Sequence, residues 1–136
     1  MSETESAVVV LDGTEAAVYA YGLVAARLPV GAERSKALSA MAWHRAQRDL
    51  LRARITALGA TPPAAAAAYT PPVPVADAAS ARTLAALVED RLAGQWAGLA
   101  AASSDATRTQ DARTAQVCAV RVVSWSGFAP VWNGAV

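Results

Sequence analysis

The sequence has very little of what marks secreted, membrane-coating or nucleic-acid-binding proteins. It contains one cysteine, Cys118, which excludes an internal disulfide and gives no sign of an oxidising compartment. Lysine occurs once, and 12 basic residues stand against 11 acidic ones, for a net charge of +1. That balance leaves no broad electrostatic footprint for nucleic acid or an anionic membrane. Glu3 and Glu5 stand near the N-terminus with no Lys or Arg beside them, unlike a secretory signal. The longest charge-free run, residues 55–76, carries five prolines and cannot be a simple membrane span. Histidine occurs once, as His44, and no Gly-rich phosphate loop, Ser-His-Asp set or zinc spacing appears. The reading is a cytoplasmic protein with no nucleic-acid and no membrane partner.

What the chain has in plenty is alanine, 36 of 136 residues, within a composition that is 54% hydrophobic. Alanine has the best helix propensity and lets helices approach to the short end of the roughly 8–10 Å packing range. The expectation is an all-α fold, with one domain spanning residues 1–136. Apolar residues at period 3.6 mark four helices, over about 4–28, 32–58, 77–102 and 105–126. Ser2 or Thr4 suits the first N-cap and Asp77 the third. Pro29–Gly31 and Gly59 provide stops. A C-terminal tail, 127–136, follows.

Two connections are short and make antiparallel neighbours of helices one and two, and of three and four. The middle one, 59–76, is long and proline-rich. Fifteen residues at the polyproline rise of about 3.1 Å span roughly 45 Å, and a helix of some 27 residues is about 40 Å long. The segment can therefore cross the whole bundle, although a helical turn at Ala64–Ala68 would shorten that reach. Two antiparallel pairs joined by a long proline-rich crossover make a ferritin-like four-helix bundle.

The motifs TEAAVYAYG, HRAQRD and GATPPAAAAAY carry a resemblance over about residues 8–100. The chain resembles an uncharacterised ferritin-like domain family of high-GC bacteria. That resemblance implies the fold and no biochemical role.

Each predicted apolar stripe is interrupted near its middle. Helix one reads Val8, Leu11, Glu15, Val18, Gly22, Ala25; helix two Ala37, Met41, His44, Arg48, Leu51, Ile55, Leu58; helix three Ala81, Ala85, Glu89, Leu92, Trp96, Leu99. Charges on a core face are costly unless paired or bound to metal. Glu15, His44, Arg48 and Glu89 are thus expected in one layer, with Tyr19, four residues after Glu15, reaching it too. Ferritin-like di-metal sites take one Glu from each of two helices and Glu-x-x-His from each of the others. Glu15, His44 and Glu89 would be the surviving ligands. Met41 stands where the partner Glu of His44 belongs, and helix four offers only Asp105 and Asp111.

Two readings follow. In the first, Arg48 bridges Glu15 and Glu89 in a metal-free polar layer of a non-enzymatic bundle with a degenerate metal site, no cofactor, and a structural or protein-interaction role. In the second, Glu15, His44 and Glu89 hold iron or manganese, with residual oxidase-type chemistry. Arg45, Arg52 and Arg54 are interrupted by Asp49 and read as solvated or inter-helix charges. Gly94 and Gly98 would allow close helix approach. Trp125, Phe128 and Trp132 crowd the end of the chain, as a cover for the bundle or as the contact of a homodimer.

Overall fold

A computed structural model describes residues 1–127 of the chain. Its elements are four helices: α1 (Glu3–Arg27), α2 (Ala32–Ala57), α3 (Ala78–Ala102) and α4 (Asp105–Ser126). No strand occurs among the described residues. The tail residues Phe128 and Trp132, offered for self-association, lie outside the described residues.

Local chemistry sets the helix ends. Ser2 caps α1 in a reciprocal capping box with Glu5, its hydroxyl accepting from the Glu5 N–H at 3.1 Å. Asp77 caps α3 through Ser80 in the same way. After α2 the Gly59 N–H donates to the Thr56 carbonyl and the Ala60 N–H to the Ile55 carbonyl. That Schellman pattern needs the positive φ of 87° at Gly59, which costs a glycine nothing.

Contacts between side chains fix the direction of each helix. Arg54 at the end of α2 meets Glu3 at the start of α1, so these two run antiparallel. Arg54 also meets Asp111 of α4, while Lys36 near the start of α2 donates to the Ser124 carbonyl of α4. Arg82 of α3, by contrast, pairs with Glu33 of α2 at 2.7 Å. Helices α2 and α3 therefore point the same way. The segment between them leaves from one end of α2 and arrives beside the other. It carries no helical turn at 64–68. Val73 and Val75 pack against the core, and the Pro63 carbonyl accepts from Arg52 at 3.0 Å.

Alanines such as Ala7, Ala17, Ala37, Ala81 and Ala85 fill the seams, and Leu11, Leu28, Leu51, Ile55, Leu84, Leu92 and Leu99 supply the bulk. Each such large side chain contributes about 1.5–3 kcal/mol on burial. By length and composition α1 is apolar enough to cross a membrane, with a mean hydropathy of 1.4 over its most apolar stretch. In this fold much of that apolar surface packs on α2 and α3.

The buried face of α1 is not the predicted one. Ala7, Val10, Leu11, Thr14, Ala17, Tyr21, Val24 and Leu28 are inside, a stripe one position out of phase with the reading through Glu15 and Gly22. Helix α1 is rich in Ala and Val on nearly every side, so its apolar pattern has no sharp phase. The largest side chain, Tyr21, takes the interior. Gly94 and Gly98 face open space, and the close approach occurs at Gly13, where a Cβ would collide with Oε1 of Gln95.

Candidate functional site

The centre of the molecule is a single carboxylate. Glu89 of α3 is fully buried and receives the Tyr21 hydroxyl of α1 on Oε2 at 2.8 Å. His44 Nε2 of α2 lies 2.8 Å from Oε1 and 3.1 Å from Oε2. Nε2 is thus the ring nitrogen that faces Glu89, while Nδ1 is turned away from it. From α4, Trp125 Nε1–H donates to the Tyr21 oxygen at 2.9 Å. Arg121 Nε stands 3.9 Å from Oε2. All four helices thus converge on one side chain.

Aromatic rings pack this centre. Tyr21 stacks on His44, and Trp43 meets His44 edge-on at 5.0 Å between centroids. The Arg121 guanidinium lies over the Trp43 ring at 4.4 Å, and Lys36 Nζ lies over Trp125 at 3.9 Å. These cation–π contacts cover two of the rings from the outside. Burial pushes the Tyr21 phenol far above its usual range, with the charge of Glu89 adding to the shift. Burial likewise pushes up the Cys118 thiol, again with a contribution from Glu89. Both groups are neutral, and Cys118 is no nucleophile here. His44 Nδ1 and Arg121 Nη1 are buried without a hydrogen-bond partner.

Of the residues expected in one layer, the structure brings together only His44 and Glu89. Glu15 lies on the neighbouring phase of α1 and meets Arg52 at 3.4 Å. Arg48 does not bridge Glu15 and Glu89; it turns outward, 30% exposed, to Asp49. Tyr19 is 38% exposed and packs against Tyr69 of the connecting segment. The one-residue shift in the phase of α1 accounts for Glu15 and Tyr19 together. Arg121 takes the position beside Glu89 expected of Arg48, and Tyr21 that expected of Tyr19. Trp125, expected at the end of the chain as a cover for the bundle or a dimer contact, packs into this core and is only 7% exposed.

The spacing of Cys118, Arg121, Val122 and Trp125 on α4 was the available signal for these partners, since it puts them on one helical face. Asp111, considered only as a remnant ligand, serves a second buried cluster. It accepts from Arg54 Nη1 at 2.8 Å and from the Ser103 hydroxyl, while Arg54 reaches Glu3 as well.

This arrangement does not fit a metal ion. No three His, Cys, Asp or Glu side chains gather closely enough among the described residues. Both Glu89 oxygens are engaged by protein donors, His44 Nε2 is turned to Glu89, and the nearest further charge, on Arg121, is positive. His44 and Glu89 have fully buried side chains, so a substrate has no approach to them.

The family model described as "Domain of unknown function (DUF4439)" matches residues 7–133. Among solved structures, the chain is similar to a conserved hypothetical protein, rv2844, from Mycobacterium tuberculosis. The two are 29% identical, with a TM-score of 0.87 over 92% of this chain and 95% of the other. No curated protein matches.

Two expectations follow from the geometry. Glu89→Ala leaves Tyr21 and His44 without their acceptor and should cost about 3–5 kcal/mol in urea denaturation. Glu15→Ala breaks one long pair at 3.4 Å whose arginine is 36% exposed, and should cost less than about 1 kcal/mol. Equal losses from the two would contradict the placement of the core. The second expectation concerns pH. Tyr21 and Cys118 are held neutral, so the unfolded chain releases these protons first, from ordinary values of 10.0 and 9.0. Their contribution is complete below about pH 9 and falls as pH rises beyond it. Tyr21→Phe should flatten this alkaline decline in melting temperature; an unchanged slope would contradict it.

Proposed function

The chain belongs to the DUF4439 family, and we propose that it is a non-enzymatic, ferritin-like four-helix bundle with a structural or protein-interaction role. In this reading the parallel α2 and α3 are joined by a proline-rich crossover, a reading that the pairing of Glu33 with Arg82 supports. The level of the bundle where ferritin-like proteins carry metal ligands holds a closed polar core instead. The observation that supports this most is the saturation of Glu89. Its oxygens face a phenol, an imidazole and a guanidinium from three different helices. A cation entering there would have to displace two donors and sit beside Arg121. A buried polar network of this kind suits a specifying role, since a wrong helix phase would leave its members unpaired.

Metal content per chain tests the proposal. Untagged protein grown with iron, manganese and zinc should carry only background metal by mass spectrometry. Near-stoichiometric iron or manganese, lost in a Glu89→Ala, His44→Ala double variant, would overturn the proposal in favour of a metal-binding protein.

A further inference from the structure

Away from the Glu89 core, the connecting segment covers a cavity of about 250 Å³ between α1 and α3. Its walls combine two aromatic rings, a buried unpaired amide oxygen and two exposed charges of opposite sign. Tyr19 and Tyr69 stand 6.0 Å apart between ring centroids, tilted by 58°. Oε1 of Gln95, seated in the space that a side chain at Gly13 would take, is buried and has no hydrogen-bond partner. Asp12 and Arg91 also line the cavity. Both are exposed at its mouth, and neither has an ion pair or hydrogen bond among the described residues. The Tyr69 phenol is held protonated, chiefly by burial and opposed by its bond with Ala66, with the charges of Asp12 and Glu15 adding to the upward shift.

We infer that this cavity is a binding site for a small zwitterionic aromatic molecule of aromatic amino-acid size. The volume is just below the roughly 300–1,000 Å³ of drug-sized ligand pockets, which limits the occupant to about one such unit. Two tilted tyrosines suit the edge or face of a third ring. Arg91 offers a fork for a carboxylate, Asp12 an acceptor for an ammonium, and Gln95 an acceptor for a further N–H donor. An anionic ligand alone would meet Asp12, and a cationic one alone would meet Arg91. A ligand carrying both charges would meet both residues, which are exposed at the mouth of the cavity, while the buried Gln95 Oε1 is the group that would otherwise stay unpaired. The site owes nothing to the Glu89 core, so it can hold whether or not that core ever takes a metal.

The probe is L-tryptophan, followed by two-dimensional amide NMR of the full chain. Saturable shifts confined to residues 12–20, 69–72 and 88–95 are expected. Arg91→Gln should weaken L-tryptophan roughly tenfold while leaving tryptamine, which lacks the carboxylate, unaffected. Asp12→Asn should weaken L-tryptophan similarly and spare indole-3-propionate, which lacks the ammonium. Tyr69→Ala, on the connecting segment and outside the helices, should weaken all three without altering the melting temperature. Absence of saturable shifts, shifts elsewhere on the bundle, or an equal response of all three compounds to Arg91→Gln and Asp12→Asn would overturn the assignment.

Discussion

The fold depends on how one buried carboxylate is satisfied. An isolated charge in a helical core costs many kcal/mol, and even a paired one must have its remaining lone pairs occupied. Glu89 meets that demand by drawing a hydroxyl from α1, an imidazole from α2 and a guanidinium from α4. Each donor comes from a different helix, so the rotation of every helix about its own axis is tied to the same point. In a core built from alanine, where small side chains tolerate many rotations, this is a strong selector of one arrangement over its neighbours.

A second polar cluster does similar work at one end of the molecule. Arg54 holds Glu3, Asp111 and Ser103, and so gathers the start of α1, the end of α2, the end of α3 and the first turns of α4. The Asp111 and Glu3 contacts raise the pKa of Arg54 further, against its partial burial. Between the two clusters the core is built mainly of leucines and alanines. Specificity is carried by a few polar side chains, and bulk stability by leucines and alanines.

The legible and illegible parts of the sequence divide along the same line. Helix ends were readable because capping chemistry is local: Ser2 with Glu5, Asp77 with Ser80, and Gly59 each act within a few residues. The stripe of α3 was readable because Leu92, Trp96 and Leu99 are large and share one face. Helix α1 offered no such contrast, and a one-residue error in phase exchanged Tyr21 for Tyr19 and brought Glu15 inward. On α2 the stripe held at His44, Leu51 and Ile55 but not at Arg48, whose pairing with Asp49 is available only on the surface. The partners of Glu89 on α4 are separated from it by some thirty residues of sequence, and only the spacing of Arg121 and Trp125 on one face of α4 marks them. Membership of DUF4439 and the likeness to rv2844 agree with an all-helical chain and add no chemistry.

The most direct measurement of the central claim is native-state hydrogen exchange on Glu89→Gln, a change of shape by almost nothing and of charge by one. If Glu89 ties the helices together, amide protection should fall in α1, α2, α3 and α4 alike, including around Tyr21, His44 and Trp125. Loss of protection confined to the turn of α3 that carries residue 89, with the other helices unchanged, would contradict the account.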